Sequence, residues 1–191
     1  MRSLIFAVML LASSLSVDAQ KTIRQVDFNN FPFPLSSHLL GHAQLQWLDT
    51  SSSGSLKGQT ARLVGGKGTV ASPGFTLQTV EYADVTGDGK GEAIVVLRYD
   101  SGAAQNINYV YVYAPANGQP KLLAYCHTGG GAYLGLHKAY GEQGQLVIEM
   151  LDRQSVNGNC CTSGFLRMRY KWHDGGFQIS GAPEHVTLKQ P

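Results

Sequence analysis

Tyr82-Ala83-Asp84-Val85-Thr86-Gly87-Asp88-Gly89-Lys90-Gly91-Glu92-Ala93-Ile94-Val95-Val96-Leu97 decides how this chain is read. It starts as the end of one strand, passes through an acidic glycine-rich loop, and ends in an apolar run of the kind a strand buried on both faces shows. Side-chain oxygens stand at Asp84, Thr86, Asp88 and Glu92, loop positions 1, 3, 5 and 9, with Gly89 at position 6 where a metal loop turns sharply. The segment therefore predicts a hairpin whose connection is either a cation loop or a self-bonded turn.

The residues that follow keep a β pattern. Tyr109, Tyr111 and Tyr113 alternate with Val110 and Val112, which sends tyrosine to one face and valine to the other. Leu122 to Cys126 predicts a further strand, and Tyr133 to Tyr140 pairs with Leu146 to Leu151 across Gly141-Glu142-Gln143-Gly144. Leu166, Met168, Tyr170 and Trp172 alternate with Arg167, Arg169 and Lys171, a half-buried strand with one basic face, and Asp174-Gly175-Gly176 turns it back. Turn signals also stand at Asp100-Ser101-Gly102 and Asn117-Gly118. The expected fold is mainly β, an antiparallel meander of about eight strands closing as a sandwich or open barrel.

Upstream of residue 75 the pattern is weaker. Pro32 and Pro34 cannot donate to a ladder, so Lys21 to Leu35 reads as an irregular or edge segment. Ser36 to Trp47 predicts one short helix, with His38 and His42 on a shared face but without the glutamate of a metalloprotease motif. Thr50 to Ser55 is a loop by composition, and it holds no nucleophile elbow because no glycine stands two before any serine. Gly65-Gly66-Lys67-Gly68-Thr69 lacks the Gly-Lys-Ser/Thr order of a phosphate loop and predicts a β-turn.

At the N-terminus Met1-Arg2-Ser3, the apolar Leu4 to Ala12 and the small-residue site Val17-Asp18-Ala19 form a signal-peptide pattern. The expected organisation is a signal peptide over 1–19, an irregular segment over 20–74 packed on the main domain, and an antiparallel β domain over 75–191, with 20–191 one structural unit. The address is secreted or periplasmic. A formal net charge of +2 is too small for a nucleic-acid binder, and no other run is apolar for long enough to span a membrane as a helix.

Cys126, Cys160 and Cys161 fit an oxidising compartment, and because adjacent cysteines bridge only through a strained ring, a disulfide from Cys126 to Cys160 or Cys161 is expected. A zinc site using His127 or His173 lacks a C-x-x-C pair. Cys126 and His127 are neighbours on a strand, point to opposite faces and cannot form a dyad.

Asp84-Val85-Thr86-Gly87-Asp88-Gly89-Lys90-Gly91-Glu92 with the strand behind it resembles the FG-GAP calcium loop of integrin-type propellers. From about Val80 to Trp172 the chain is similar to small exported bacterial proteins of uncharacterised function. They share this segment, a Tyr-Val-Tyr strand (Tyr109 to Tyr113), a Lys-Leu-Leu strand (Lys121 to Leu123), and a Cys-Cys (Cys160-Cys161) followed by Arg-Tyr-x-Trp (Arg169 to Trp172). The resemblance implies a fold neighbourhood and export, and no activity. With one copy of the loop a propeller is excluded.

The implied metal site would use Asp84, Thr86, Asp88, the Lys90 carbonyl and Glu92, and Thr86 in place of an acid makes it a weak calcium (Ca2+) site. The alternative is a metal-free loop in which Asp84 and Asp88 accept from backbone amides as Asx-turns. In function the chain reads as an exported non-catalytic β-domain, calcium-stabilised if the loop is loaded, that binds a protein or carbohydrate partner. An aromatic platform of Tyr109, Tyr111, Tyr113 and Trp172 and the basic stripe of Arg167, Arg169 and Lys171 are its candidate surfaces, against core packing and a solvated face. The alternative is a secreted or periplasmic hydrolase with a carboxylate or metal-assisted site.

Overall fold

The computed structural model describes residues 23–35, 58–68, 74–100, 106–116, 119–128, 135–152, 156–157 and 161–188. The signal segment, the helix expected over Ser36 to Trp47 with His38 and His42, Thr50 to Ser55, Asn117-Gly118, Tyr133 and Cys160 lie outside them. Within them the chain is mainly β, with no helix of seven or more residues. None is long and apolar enough to cross a membrane.

The first sheet is a seven-stranded meander: β1 (Pro32–Leu35), β2 (Gln59–Val64), β3 (Lys67–Gly68), β4 (Gly74–Ala83), β5 (Glu92–Asp100), β6 (Asn106–Ala114) and β7 (Lys121–Thr128), in chain order and antiparallel throughout. The second sheet holds β8 (Leu136–Glu142), β9 (Gln145–Leu151), β12 (Gly164–His173), β13 (Gly176–Ile179) and β14 (Glu184–Thr187). A separate pair, β10 (Val156–Asn157) and β11 (Cys161–Thr162), lies between β9 and β12 in the chain. Three strands of the first sheet thus come from before residue 75. The two prolines sit on the edge strand β1, where Pro32 faces Arg62 and Pro34 faces Thr60.

Turn chemistry sets the hairpins. Gly65-Gly66, Gln143-Gly144 and Asp174-Gly175 each join two strands through two residues at positive φ, as a type I′ turn requires. Glycine reaches that region without strain, and Gln143 and Asp174 each take one of the six positions.

The period-two alternation distributes side chains between two cores. Ala93, Val95 and Leu97 of β5, Tyr109, Tyr111 and Tyr113 of β6 and Tyr125 of β7 join Phe28, Phe33, Leu35, Leu63 and Phe75 inside the curl of the first sheet, a half-barrel. Ile94, Val96, Val110, Val112, Ala124 and Cys126 face the other way, onto Ala139, Leu146, Ile148, Met168 and Tyr170 of the second sheet. The molecule is a sandwich in which one sheet is covered on both faces. Phe28, Phe31 and Phe33 supply the cover on the aromatic side, with ring centroids 5.1 to 6.2 Å from Tyr111 and Tyr113.

Candidate functional site

The acidic loop leaves β4 at Ala83 and re-enters the sheet at Glu92, and these two residues are register partners. Between them Gly87 and Gly89 take φ of 78° and 82°, which lets the backbone fold over the side chains. Asp84 accepts from the Gly87 amide at 2.7 Å through Oδ1 and from the Gly89 amide at 2.9 Å through Oδ2. Asp88 accepts from the Lys90 amide at 2.8 Å, and the Lys90 ammonium stands 3.7 Å from its other oxygen in solvent. These are the Asx-type bonds by which a short acidic side chain replaces a backbone turn.

Glu92 turns inward. It is 1% exposed, and its Oε2 accepts from the amides of Val85 at 2.9 Å and Thr86 at 3.3 Å. The Thr86 hydroxyl stands 3.4 Å from Oε1. Burial pushes the carboxyl up to about 7; the Val85 amide opposes that rise, while Asp88 and Asp84 add to it. Val85 itself is fully buried in the core between the sheets, so this carboxylate ties the loop to the strand behind it.

Calcium takes six to eight oxygens at one point. Here both Asp84 oxygens and one Asp88 oxygen are directed to loop amides, and Glu92 to amides on the inner side. Among the described residues no three His, Cys, Asp or Glu side chains are grouped to hold a metal ion. As placed, Asp84, Thr86, Asp88, Lys90 and Glu92 make a hydrogen-bonded turn. No protein-family model, curated protein or solved structure matches the chain. The reading of its function therefore rests on its own geometry.

The other candidate groups are largely consumed by packing. Tyr109, Tyr111 and Tyr113 are buried in the half-barrel, so they offer no aromatic platform, and Trp172 packs edge-on against Phe177 at 4.9 Å. Cys126 is a free, fully buried thiol in the core between the sheets, which corrects the disulfide expected from it. The strand alternation that sends Val110 and Val112 inward sends Cys126 with them, and burial pushes its thiol up to about 12. His127 lies on the opposite face, its ring 5.8 Å from that of Tyr109.

The basic face of β12 is matched by acids. Arg167 donates from Nε to Glu149 at 2.7 Å and from a terminal nitrogen to Glu184 at 3.5 Å; Arg169 meets Glu184 at 3.4 Å and Glu142 at 2.5 Å. Glu149 is buried beneath this row and also accepts from the Tyr140 hydroxyl at 2.9 Å. Lys171 remains exposed.

Sequence reasoning missed one pair. His185 of β14 places Nδ1 at 2.8 Å from Oδ2 of Asp152, just past the end of β9; the carboxylate is 8% exposed and the imidazole 60%. A carboxylate behind one ring nitrogen fixes the tautomer and turns the other outward. The two residues are far apart in the chain, and only the pairing of β14 with β12 brings them together.

Proposed function

We propose that this chain is an exported, non-catalytic β-domain that works by binding a protein partner, with its acidic loop serving as an internal tie. The observation that carries the reading is Glu92: the one buried carboxylate of the conspicuous loop accepts from Val85 and Thr86 of its own hairpin. A carboxylate committed to two amides is held away from substrate. The burial of Cys126 and the three tyrosines, which keeps that thiol and those rings from the surface, supports the same reading. Export is supported by the signal-like segment ahead of Gln20.

A second reading, a hydrolase, is favoured by the Asp152 and His185 pair, which has the orientation a general base uses. Incubating purified protein with chromogenic ester, glycoside and peptide substrates, beside Asp152→Asn, separates the two. No turnover in either protein is the expected result. Turnover that the substitution abolishes would replace the binding reading by the hydrolase.

A further inference from the structure

Strand β12 has two neighbours on one of its edges. β13 pairs with Tyr170 to His173 and β14 with Gly164 to Arg167, and between them the chain steps out through Ser180-Gly181-Ala182-Pro183, with Gly181 at a φ of 85°. The step uncouples β14 from β13. β14 buries none of its side chains: Glu184, His185 and Thr187 are exposed and Val186 half-buried. What holds it is the backbone ladder, the Leu188 amide on the Ser163 carbonyl at 2.7 Å, the His185 contact with Asp152, and Glu184 between Arg167 and Arg169.

An element with so little apolar burial belongs to the parts of a fold that open first. The edge beneath it is already shaped for a strand. Besides Glu184, Arg167 is bonded to Glu149 and Arg169 to Glu142. Both guanidinium groups are thereby held in place with donors directed at the Glu184 position, and a preorganised fork binds a carboxylate with less ordering cost.

We propose that the Gly164 to Arg167 edge of β12 is a strand-accepting surface for an extended acidic peptide segment of another protein, and that β14 fills it in the resting chain. The partner strand would add by backbone hydrogen bonding and set a carboxylate between Arg167 and Arg169, as Glu184 does. This rests on the reading of the chain as a binding module and gives that module its surface.

The probe is a labelled peptide of residues 182–188, Ala-Pro-Glu-His-Val-Thr-Leu, with a second peptide carrying Lys in place of Glu. Glu184→Arg sets a third cation against Arg167 and Arg169, and is expected to loosen β14 while leaving the sequence of β12 unchanged. The expected result is binding to this variant at least about tenfold tighter than to the unaltered chain, and little binding of the Lys peptide. On the unaltered chain, excess Glu peptide is expected to speed amide exchange in Glu184 to Thr187 and leave Leu146 to Leu151 unchanged.

Absence of binding, equal binding of both peptides, or β14 amides as slow as those of β9 would overturn the proposal. A dimer of Glu184→Arg would overturn it in favour of a second copy of the chain. The exchange arm decides the matter if the variant fails to fold. Loss of peptide binding without turnover in the substrate assay removes this surface and leaves the binding reading standing.

Discussion

Gly141 of β8 lies so close to Ala83, the residue that enters the acidic loop, that a Cβ on the glycine would fall 2.2 Å from the alanine Cβ and 2.9 Å from Val85 Cγ1. The second sheet therefore presses backbone against the base of the loop. Gly141→Ala is expected to destabilise by about 1 to 3 kcal/mol, as overpacking does. Gly176→Ala, where an added Cβ would meet nothing within 4 Å, is its control. Urea midpoints at neutral pH measure both, and equal midpoints would show that the sheets separate freely at this point.

The two neighbouring tyrosines of β6 should respond oppositely to loss of the hydroxyl. The Tyr111 hydroxyl donates to the Pro34 carbonyl at 3.3 Å, whereas the Tyr113 hydroxyl is buried with no partner among the described residues. Tyr111→Phe should cost about 1 kcal/mol, and Tyr113→Phe should be neutral or stabilising by up to about 1 kcal/mol. Denaturant unfolding of the two variants side by side provides the test.

Glu92 gives the fold a pH dependence of unusual sign for a carboxylate. Its folded pKa is raised from 4.5 to about 7 by burial, so between those values the folded chain holds a proton that the unfolded chain releases. Stability contributed by this group is fully present below about 4.5 and is lost as pH rises through about 7. The swing is on the order of 3 kcal/mol at most. Glu92→Gln keeps an oxygen for the Val85 and Thr86 amides and should remove the slope, with its gain in stability largest at pH 8. A slope unchanged by the substitution would assign the effect elsewhere.

The loop should act without calcium. The thermal midpoint of residues 20–191 is expected to be the same in chelator and in millimolar calcium, and Asp84→Ala, which removes the acceptor for two loop amides, should cost about 1 to 2 kcal/mol in both. A midpoint that rises with calcium in the unaltered chain and not in Asp84→Ala would restore the metal site.

Most of the architecture was legible because strand periodicity is local. The alternation of Tyr109 to Tyr113 with Val110 and Val112, the apolar run from Ala93 to Leu97 and the turn at Asp174-Gly175 each state their structure in a few residues. What was not legible depends on distance in the chain. Whether tyrosines face solvent or a second core turns on Phe28, Phe31 and Phe33 folding across them, and the neutralised face of β12 depends on Glu142, Glu149 and Glu184 from three other strands. The acidic loop was ambiguous for another reason: the same Asp and Glu spacing suits a cation or a set of amides.

The two cores on either side of β5 and β6 carry a consequence for register. In a half-exposed strand a slip of one residue is heavily penalised because it drives the apolar face into water. Here Ala93 to Leu97 is apolar on both sides, so a slip would merely exchange one apolar neighbourhood for another, and hydrophobicity alone selects weakly between them. The choice falls to fit, tyrosine in the half-barrel and valine between the sheets, and to the Glu92 carboxylate, which meets the Val85 and Thr86 amides only when Ala83 stands opposite Glu92. The acidic loop thus joins side-chain fit in pinning the alignment of a strand whose hydrophobicity alone selects its register weakly.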